Sequence, residues 1–491
     1  MDPLRRINRP PASARPGRLL VLLVLLAWLG SALFERYKPV PEGLSHAAPM
    51  RPASELRILL DQTYANRQGE RVIRQRIFDE VFALIDQARR LIVVDMFLFN
   101  EFANDSAHRA LTAELTTALV AARQRQPAPE VWLVTDPFNT LYGGIAAPHL
   151  EQLESAGVNV VLTDVSQLRA SNPLWSGFWR LCCSQLGNST EGWLPNPVAE
   201  PPVTLRTYLH LANFRANHRK TLVVDQGDDW IGLITSANPQ DASSSHSNSA
   251  LRFRGAAALD LLQTERAVLG MNGILESLDE PLDWPPPPAS TTAEGAPLGL
   301  QVLTEGAITR ALLAMVDSAG AGDRLDVEVF YLSHRPLIEA LIAAHERGTR
   351  VRVLLDPNRD AFGREKNGIP NRQAAWDLHR AGIELRWCYT QGEQCHRKWA
   401  LLDRADGSSE LIGGSSNFTR RNLDDLNLET NLRVVTHLEH PSLGPYREHF
   451  ERAWSNAGGE LHSLPYEDFA DHSRFNYALY RVMEATGLST F

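Results

Sequence analysis

The feature that most constrains this chain is an internal duplication on the scale of a whole domain. A helical stretch, Arg71 to Arg90, leads into the apolar run Leu91–Phe99, and a second helix from about Ala107 to Arg123 leads into VWLVTDPFN at Val131–Asn139. The later half repeats the pattern. A helix from about Ala307 to Ser318 precedes Leu325–Ser333, and another from about Pro336 to Arg347 precedes VRVLLDPNR at Val351–Arg359. ESAGVNVVLTD (Glu154–Asp164) then matches HRAGIELRWCY (His379–Tyr389). Short apolar runs alternating with amphipathic helices predict an α/β fold with largely buried sheets.

A chain of 491 residues is too long for one core and suits two domains. The join is WPPPP at Trp284–Pro288 followed by ASTTAEGAP, a proline-rich linker centred near residue 290. The expected division is a basic N-terminus (1–18), a membrane signal-anchor (19–36), a linker (37–55), a first lobe (56–280), the proline-rich linker (281–299), a second lobe (300–460) and a C-terminal extension (461–491). The halves differ in length. Asp136 and His218 are 82 positions apart, whereas the matching Asp356 and His396 are 40 apart. The excess in the first half carries Trp175, Phe178, Trp179, Leu181 and Trp193. Two readings of it stand equal: a lipid-facing lid or an extra packed segment.

Each half also carries the same chemistry. NHRKTLVVD (Asn217–Asp225) and CHRKWALLD (Cys395–Asp403) both fit His-x-Lys-x4-Asp, followed by TSAN (Thr235–Asn238) and GSSN (Gly414–Asn417). Residues two apart on a strand share a face. His218 is therefore expected to project with Lys220, His396 with Lys398, Ser236 with Asn238, and Ser415 with Asn417. Two lobes docked about a pseudo-twofold would close one pocket holding two imidazoles and two ammonium groups.

Lysine usage sharpens the point. Of 49 basic residues only Lys38, Lys220, Lys366 and Lys398 are lysine. A chain so biased to arginine keeps the compact ammonium at the matched position of both motifs, and the two cations are not interchangeable. Lys366, in FGREKNGIPNRQ, reads as a solvated loop lysine in preference to a pocket-lining one. Asp225 and Asp403 end their strands, where a structural role is expected.

The paired motifs resemble those of the phospholipase D superfamily, which includes cardiolipin synthases, over roughly residues 56–455. The resemblance implies two similar α-β-α sandwich lobes and a metal-free, cofactor-free phosphodiesterase. His218 would be the nucleophile, giving a phosphohistidine. His396 would be the proton donor to the leaving alcohol. Lys220 and Lys398, with Ser236, Asn238, Ser415 and Asn417, would bind the phosphate, and Asp225 and Asp403 would complete the motifs. Water as acceptor gives hydrolysis; an alcohol gives phosphatidyl transfer. The resemblance also implies a carboxylate supporting the nucleophile from the opposite half. Glu429 is the candidate, while the equivalent stretch of the first half has Asn248. The implied substrate is a phospholipid headgroup. A cardiolipin synthase-type phosphatidyltransferase and a membrane-tethered nuclease are the alternatives.

Charge bears on that choice. Residues 1–38 hold seven basic and two acidic residues, a net of +5, so the rest carries −14 of the overall −9. An acidic body argues against a duplex nucleic-acid partner. Leu19–Phe34 is sixteen residues without a charge, preceded by five arginines and followed by Arg36 and Lys38. This predicts a membrane anchor with its N-terminal side in the cytoplasm and the body outside it, periplasmic if the source is Gram-negative. A signal peptide cleaved at Gly30-Ser31-Ala32 is the rival and sends the body to the same side. Cys388 and Cys395 flank a short loop and are expected either as a disulfide or as free thiols.

Overall fold

The computed structural model describes residues 16–102, 108–289, 295–361, 364–489 and 491. The residues around 290 that the sequence marks as the centre of the linker fall outside these in part.

In the first half, seven strands form one mixed sheet: β1 (Leu56–Leu60), β2 (Leu91–Met96), β3 (Glu130–Thr135), β4 (Asn159–Leu162), β5 (Lys220–Gln226), β6 (Asp229–Thr235) and β7 (Ser249–Arg254). Their spatial order is β1-β7-β6-β5-β2-β3-β4. The second half supplies β8 (Leu298–Thr304), β9 (Arg324–Val329), β10 (Arg350–Leu355), β11 (Glu384–Cys388), β12 (Lys398–Asp403), β13 (Ser408–Gly414) and β14 (Thr430–His437). Their order, β8-β14-β13-β12-β9-β10-β11, is the same permutation. In each sheet the strand of the His-x-Lys motif (β5, β12) is antiparallel to β2 or β9, which pairs in parallel with β3 or β10.

Burial explains the strand composition. Ile92, Val94, Leu133, Leu222 and Leu233 pack outward under α2 (Ile77–Gln87) and α3 (Leu111–Arg123). Val93, Val134, Val223 and Ile234 point inward to a core they share with Leu300, Trp399, Leu432 and Val434 of the second sheet. Both faces being apolar, the strands read as continuous hydrophobic runs. The helix expected over Arg71–Arg90 is shorter. Arg71–Arg74 pairs with Gln62–Ala65 as a hairpin, and the helix starts at Ile77, where Asp61 Oδ1 accepts from the Arg76 and Ile77 N–H groups at 2.7 and 3.1 Å.

Two peripheral segments are integrated. Arg51–Pro52, expected in a linker, forms an edge strand on β8 of the second sheet before the chain enters the first. Ser463–Pro465, expected in an extension, forms the opposite edge on β11. At the N-terminus, α1 (Pro16–Tyr37) contains an apolar stretch, Gly17–Tyr37, of 21 residues with mean hydropathy 2.1, long and apolar enough to cross a membrane. It exceeds the sixteen uncharged residues because helical structure continues through Glu35, Arg36 and Tyr37.

Candidate active site

Each motif histidine sits just before its strand and is held by the opposite half. The His218 N–H donates to the Leu428 carbonyl at 2.9 Å, and the His396 N–H donates to the Ser247 carbonyl at 2.8 Å. The residue before each is fixed from its own half. Asp136 accepts from the Asn217 N–H at 2.7 Å and Asp356 from the Cys395 N–H at 2.8 Å. A one-residue slip in either strand would break both sets at once.

The two imidazoles line a single cavity of about 640 Å³, together with Asn238, Asn417, His246, Arg421 and Lys366. Its wall is rich in apolar groups, among them Phe97, Leu98, Phe102, Phe138, Leu211, Phe214 and Phe330. Lys220 and Lys398 are fully buried behind the histidines. Each ammonium donates to the carbonyl of its own histidine, at 2.7 Å (His218) and 2.6 Å (His396). The motif therefore works as a closed unit in which the lysine folds back under the imidazole. An aromatic ring completes each unit: Phe97 lies 4.8 Å from the His218 ring and 5.0 Å from Lys220 Nζ, and Phe330 lies 4.9 Å from His396 and 5.5 Å from Lys398.

The intervening arginines face away. Arg219 is buried against Glu305 at 2.7 Å, and Arg397 against Glu328 at 2.9 Å. This alternation is the period of a strand.

The two imidazoles differ in their partners. His218 Nδ1 is 2.7 Å from Glu429 Oε1, and Ser415 Oγ and the Asn422 amide also donate to that carboxylate. His396 Nδ1 is 3.0 Å from Asn248 Oδ1, which in turn accepts from Ser236 Oγ at 3.0 Å. Burial lowers the His218 pKa to about 4, against the opposing pull of Glu429, so the ring is neutral near pH 7. Burial, followed by the Lys398 charge, holds His396 well below its ordinary value. Burial also brings Lys220 down to about 7, and burial with the repulsion of Lys220 lowers Lys398. Two ammonium groups within reach of each other, away from water, form a site that an anion would relieve.

The structure thus brings together His218, Lys220, His396, Lys398, Glu429, Asn238 and Asn417. The buried side-chain oxygen of Asn417 has no hydrogen-bond partner among the described residues. Ser236 and Ser415, expected on the phosphate, instead orient Asn248 and Glu429. The two aspartates stand apart. Asp225 accepts from the N–H groups of Arg90 and Leu91 at 2.7 and 2.9 Å, pinning the start of β2. Asp403 is bound by Arg324 (2.9 Å), Arg447 (2.8 Å) and Ser409 (2.7 Å). Neither lines the cavity, and both hold backbone or arginine groups at the ends of their strands. Lys366, expected in solvent, lines the cavity.

Asp136 and Asp356, Phe97 and Phe330, Asn422 and His246 escaped sequence reasoning. The matched DPF and DPN triplets and the matched DMF and EVF strand ends were the signal for the first four. Cys388 and Cys395 are disulfide-bonded, one of the two expected alternatives, and Cys182 and Cys183 are bonded to each other.

Residues 312–454 match the family described as "Cardiolipin synthase, PLD-like domain". Mitochondrial cardiolipin hydrolase of Homo sapiens is 32% identical over 161 residues, 33% of this chain and 56% of that protein. Its Mus musculus counterpart is 30% identical over 151 residues, 31% of this chain and 59% of that protein. The chain thus spans little more than half the length of these curated relatives. In fold, it resembles the phosphatidylserine synthase of Haemophilus influenzae Rd KW20, with a TM-score of 0.55 at 11% identity over 90% of this chain and 95% of that one. With two His-x-Lys-x4-Asp motifs on matching strands of two like-ordered sheets, this chain resembles the phospholipase D superfamily in sequence and in fold.

Proposed function

We propose that this protein is a membrane-held phosphodiesterase that cleaves or exchanges phospholipid headgroups through a phosphohistidine, its two lobes related by a pseudo-twofold through the cavity. One observation carries the reading. Two buried imidazoles, each pinned to the opposite half, open into one cavity, and only one of them has a carboxylate on Nδ1.

In this mechanism the phosphodiester anion settles against Lys220 and Lys398. Glu429 fixes the neutral His218 with its proton on Nδ1, leaving the Nε2 lone pair free to attack phosphorus. Burial and, after it, the neighbouring cations keep His396 unprotonated in the empty site; the substrate's negative charge offsets that repulsion and favours the protonated ring, so His396 can carry the proton the departing alkoxide needs. As the phosphorus–oxygen bond breaks, that proton passes to the leaving alcohol. His396 then takes a proton from water or a second alcohol, whose oxygen attacks phosphorus and releases His218. The lysines neutralise the equatorial oxygens in both steps. The apolar wall supports a lipid substrate, because acyl groups replace water there at a gain of about 25 cal/mol per Å².

The test is to incubate the purified protein with phosphatidylglycerol, phosphatidylethanolamine, cardiolipin and single-stranded DNA, alongside His218→Ala. Phosphatidic acid as product supports hydrolysis, cardiolipin from phosphatidylglycerol supports transfer, and nucleotide release would replace the lipid reading with the nuclease one. Equal activity of His218→Ala and wild type would remove the mechanism.

A further inference from the structure

The extra segment of the first half is packed on one side and bare on the other. α5 (Pro173–Cys182) runs alongside the C-terminal part of α1 in the same direction. α4 (Pro148–Ser155) precedes it, and α6 (Leu205–Leu211) follows. Trp28 Nε1 donates to the Leu174 carbonyl at 2.8 Å. A Cβ on Gly177 would lie 2.5 Å from the Ala32 nitrogen, so only glycine lets the two backbones approach this closely, as small residues do between helices in membranes. Further along, Arg180 stacks over the Phe34 ring at 3.9 Å and reaches Glu35 at 3.6 Å.

The end of α1 is fastened, not hinged. Glu35 is buried and pairs with Lys38 at 3.0 Å and with Arg215, while its carbonyl accepts from the Ala170 N–H at 2.9 Å. Arg215 lines the cavity three residues before His218. Behind α5, Trp175 Nε1 donates to the Leu209 carbonyl at 3.0 Å, and Ser171 Oγ donates to the carbonyl of Phe214, itself a cavity residue.

The bare side is apolar. Leu174, Phe178 and Leu181, at helical spacing, are 54%, 46% and 55% exposed, and Trp193 is 74% exposed. Leu186, Leu205 and Tyr208 of the same segment are exposed as well. On the helical wheel Gly177 sits about 60° from the centre of the α5 stripe, so α1 flanks it directly. A contiguous patch of this kind marks an interaction surface.

We infer that the occupant of this surface is the lipid bilayer, and that α5 and α6 sit in the same leaflet as the C-terminal part of α1, placing the cavity mouth against the lipid acyl chains. This deepens the lipid reading above and rests on it only for the identity of the substrate. The stripe is continuous with a 21-residue helix that is apolar all round and is left bare along most of its length, as a bilayer requires. Arg36 and Tyr37 at the end of α1, and Arg180 beside Phe34 and Glu35, are of the types that settle at the headgroup level. Alongside α1, Leu174 lies six residues, or about 9 Å, deeper than Arg180, enough to enter the acyl region. The anchor therefore sets the pose of the body instead of merely tethering it.

A photo-crosslinking residue (benzoylphenylalanine) placed at Leu174, Phe178 or Leu181 of the full chain, in vesicles of phosphatidylglycerol and phosphatidylethanolamine, tests this directly. The expected result is lipid adducts at all three positions and none at Glu346, an exposed control on the second half. Adducts no more frequent than at Glu346, or adducts to a second copy of the chain, would overturn it, whatever the enzyme's substrate proves to be. The triple variant L174E/F178E/L181E is expected to lose about tenfold or more of its turnover on long-chain vesicles while keeping turnover on a monomeric short-chain phospholipid. Unchanged vesicle turnover would count against the inference. Lipid adducts without turnover on any phospholipid would leave the seat standing and remove the substrate reading instead.

Discussion

The two half-sites are nearly the same object, and they differ in the side chain that meets each imidazole Nδ1. Both hold a histidine against the opposite half, a lysine folded under it, a phenylalanine beside it and a serine behind its Nδ1 partner. In the first unit that partner is a carboxylate, Glu429; in the second it is an amide, Asn248. A carboxylate on Nδ1 stabilises the charge an imidazole gains when Nε2 bonds to phosphorus, and an amide does so much less. In the proposed mechanism, that side-chain difference is what assigns the nucleophile's role to His218.

The strongest way to break this comparison is to remove each histidine in turn. His218→Ala should lower turnover by about 10⁴ or more on any phosphodiester and abolish the phosphoenzyme. His396→Ala should be as damaging with an alkyl leaving group. With a p-nitrophenyl ester, which needs no proton, it should still label His218, as acid-trapped phosphoenzyme would show. Labelling of His396 in the wild type would reverse the assignment.

Exchanging the Nδ1 partners gives the next effect. Glu429→Gln should cost about 10² or more in kcat by loss of the oriented, charge-stabilised imidazole. Asn248→Asp should cost less than about tenfold, since it adds a charge the second unit does not use. Equal losses in steady-state kinetics would mean that the asymmetry is incidental.

A pH profile separates the lysines from the histidines. In the empty site Lys220 is charged below pH 7 and neutral above it, because burial lowers its pKa to about 7. The phosphate anion prefers the charged form, so kcat/KM should fall on the alkaline side by about tenfold per pH unit, while kcat, reporting the loaded site, falls later. His218 is neutral above about pH 4, so the acid limb it contributes should lie there and not near the ordinary histidine value. An unchanged alkaline limb in Lys220→Arg would show that this lysine is not the group titrating.

The smallest effect should come from the aspartates that end the motifs. Asp225→Asn weakens the anchor on Arg90 and Leu91, and Asp403→Asn weakens the pairing with Arg324 and Arg447. Each should lower stability by about 1–3 kcal/mol in denaturant unfolding, with kcat within about twofold of wild type at permissive temperature. A loss of kcat in a fully folded Asp225→Asn protein would restore the aspartate to the chemistry.

Much of this molecule was legible in order along the chain. The strands of each half and the matched histidines and lysines are local patterns, and periodicity and spacing carry local patterns directly, whereas Glu429 and its counterpart Asn248 were singled out through the family resemblance. The 71–90 helix was misread because the hairpin Gln62–Ala65 with Arg71–Arg74 is stabilised by pairing across a turn, which overrides helical propensity. Lys366 was misread because no local signal distinguishes a loop that lines a cavity from one in water.

What the amino-acid order determined by itself is therefore the repeat unit and the reactive groups it carries. What only the tertiary structure decided is every relation between the halves. It set which carboxylate meets which imidazole, the burial that makes His218 neutral and Lys220 weakly basic, and the lashing of α1 through Glu35 to the loop before His218. The reason is physical. Desolvation and charge–charge contact depend on distances between residues 180 and more positions apart, and those distances exist only once the two sheets have closed on a common core.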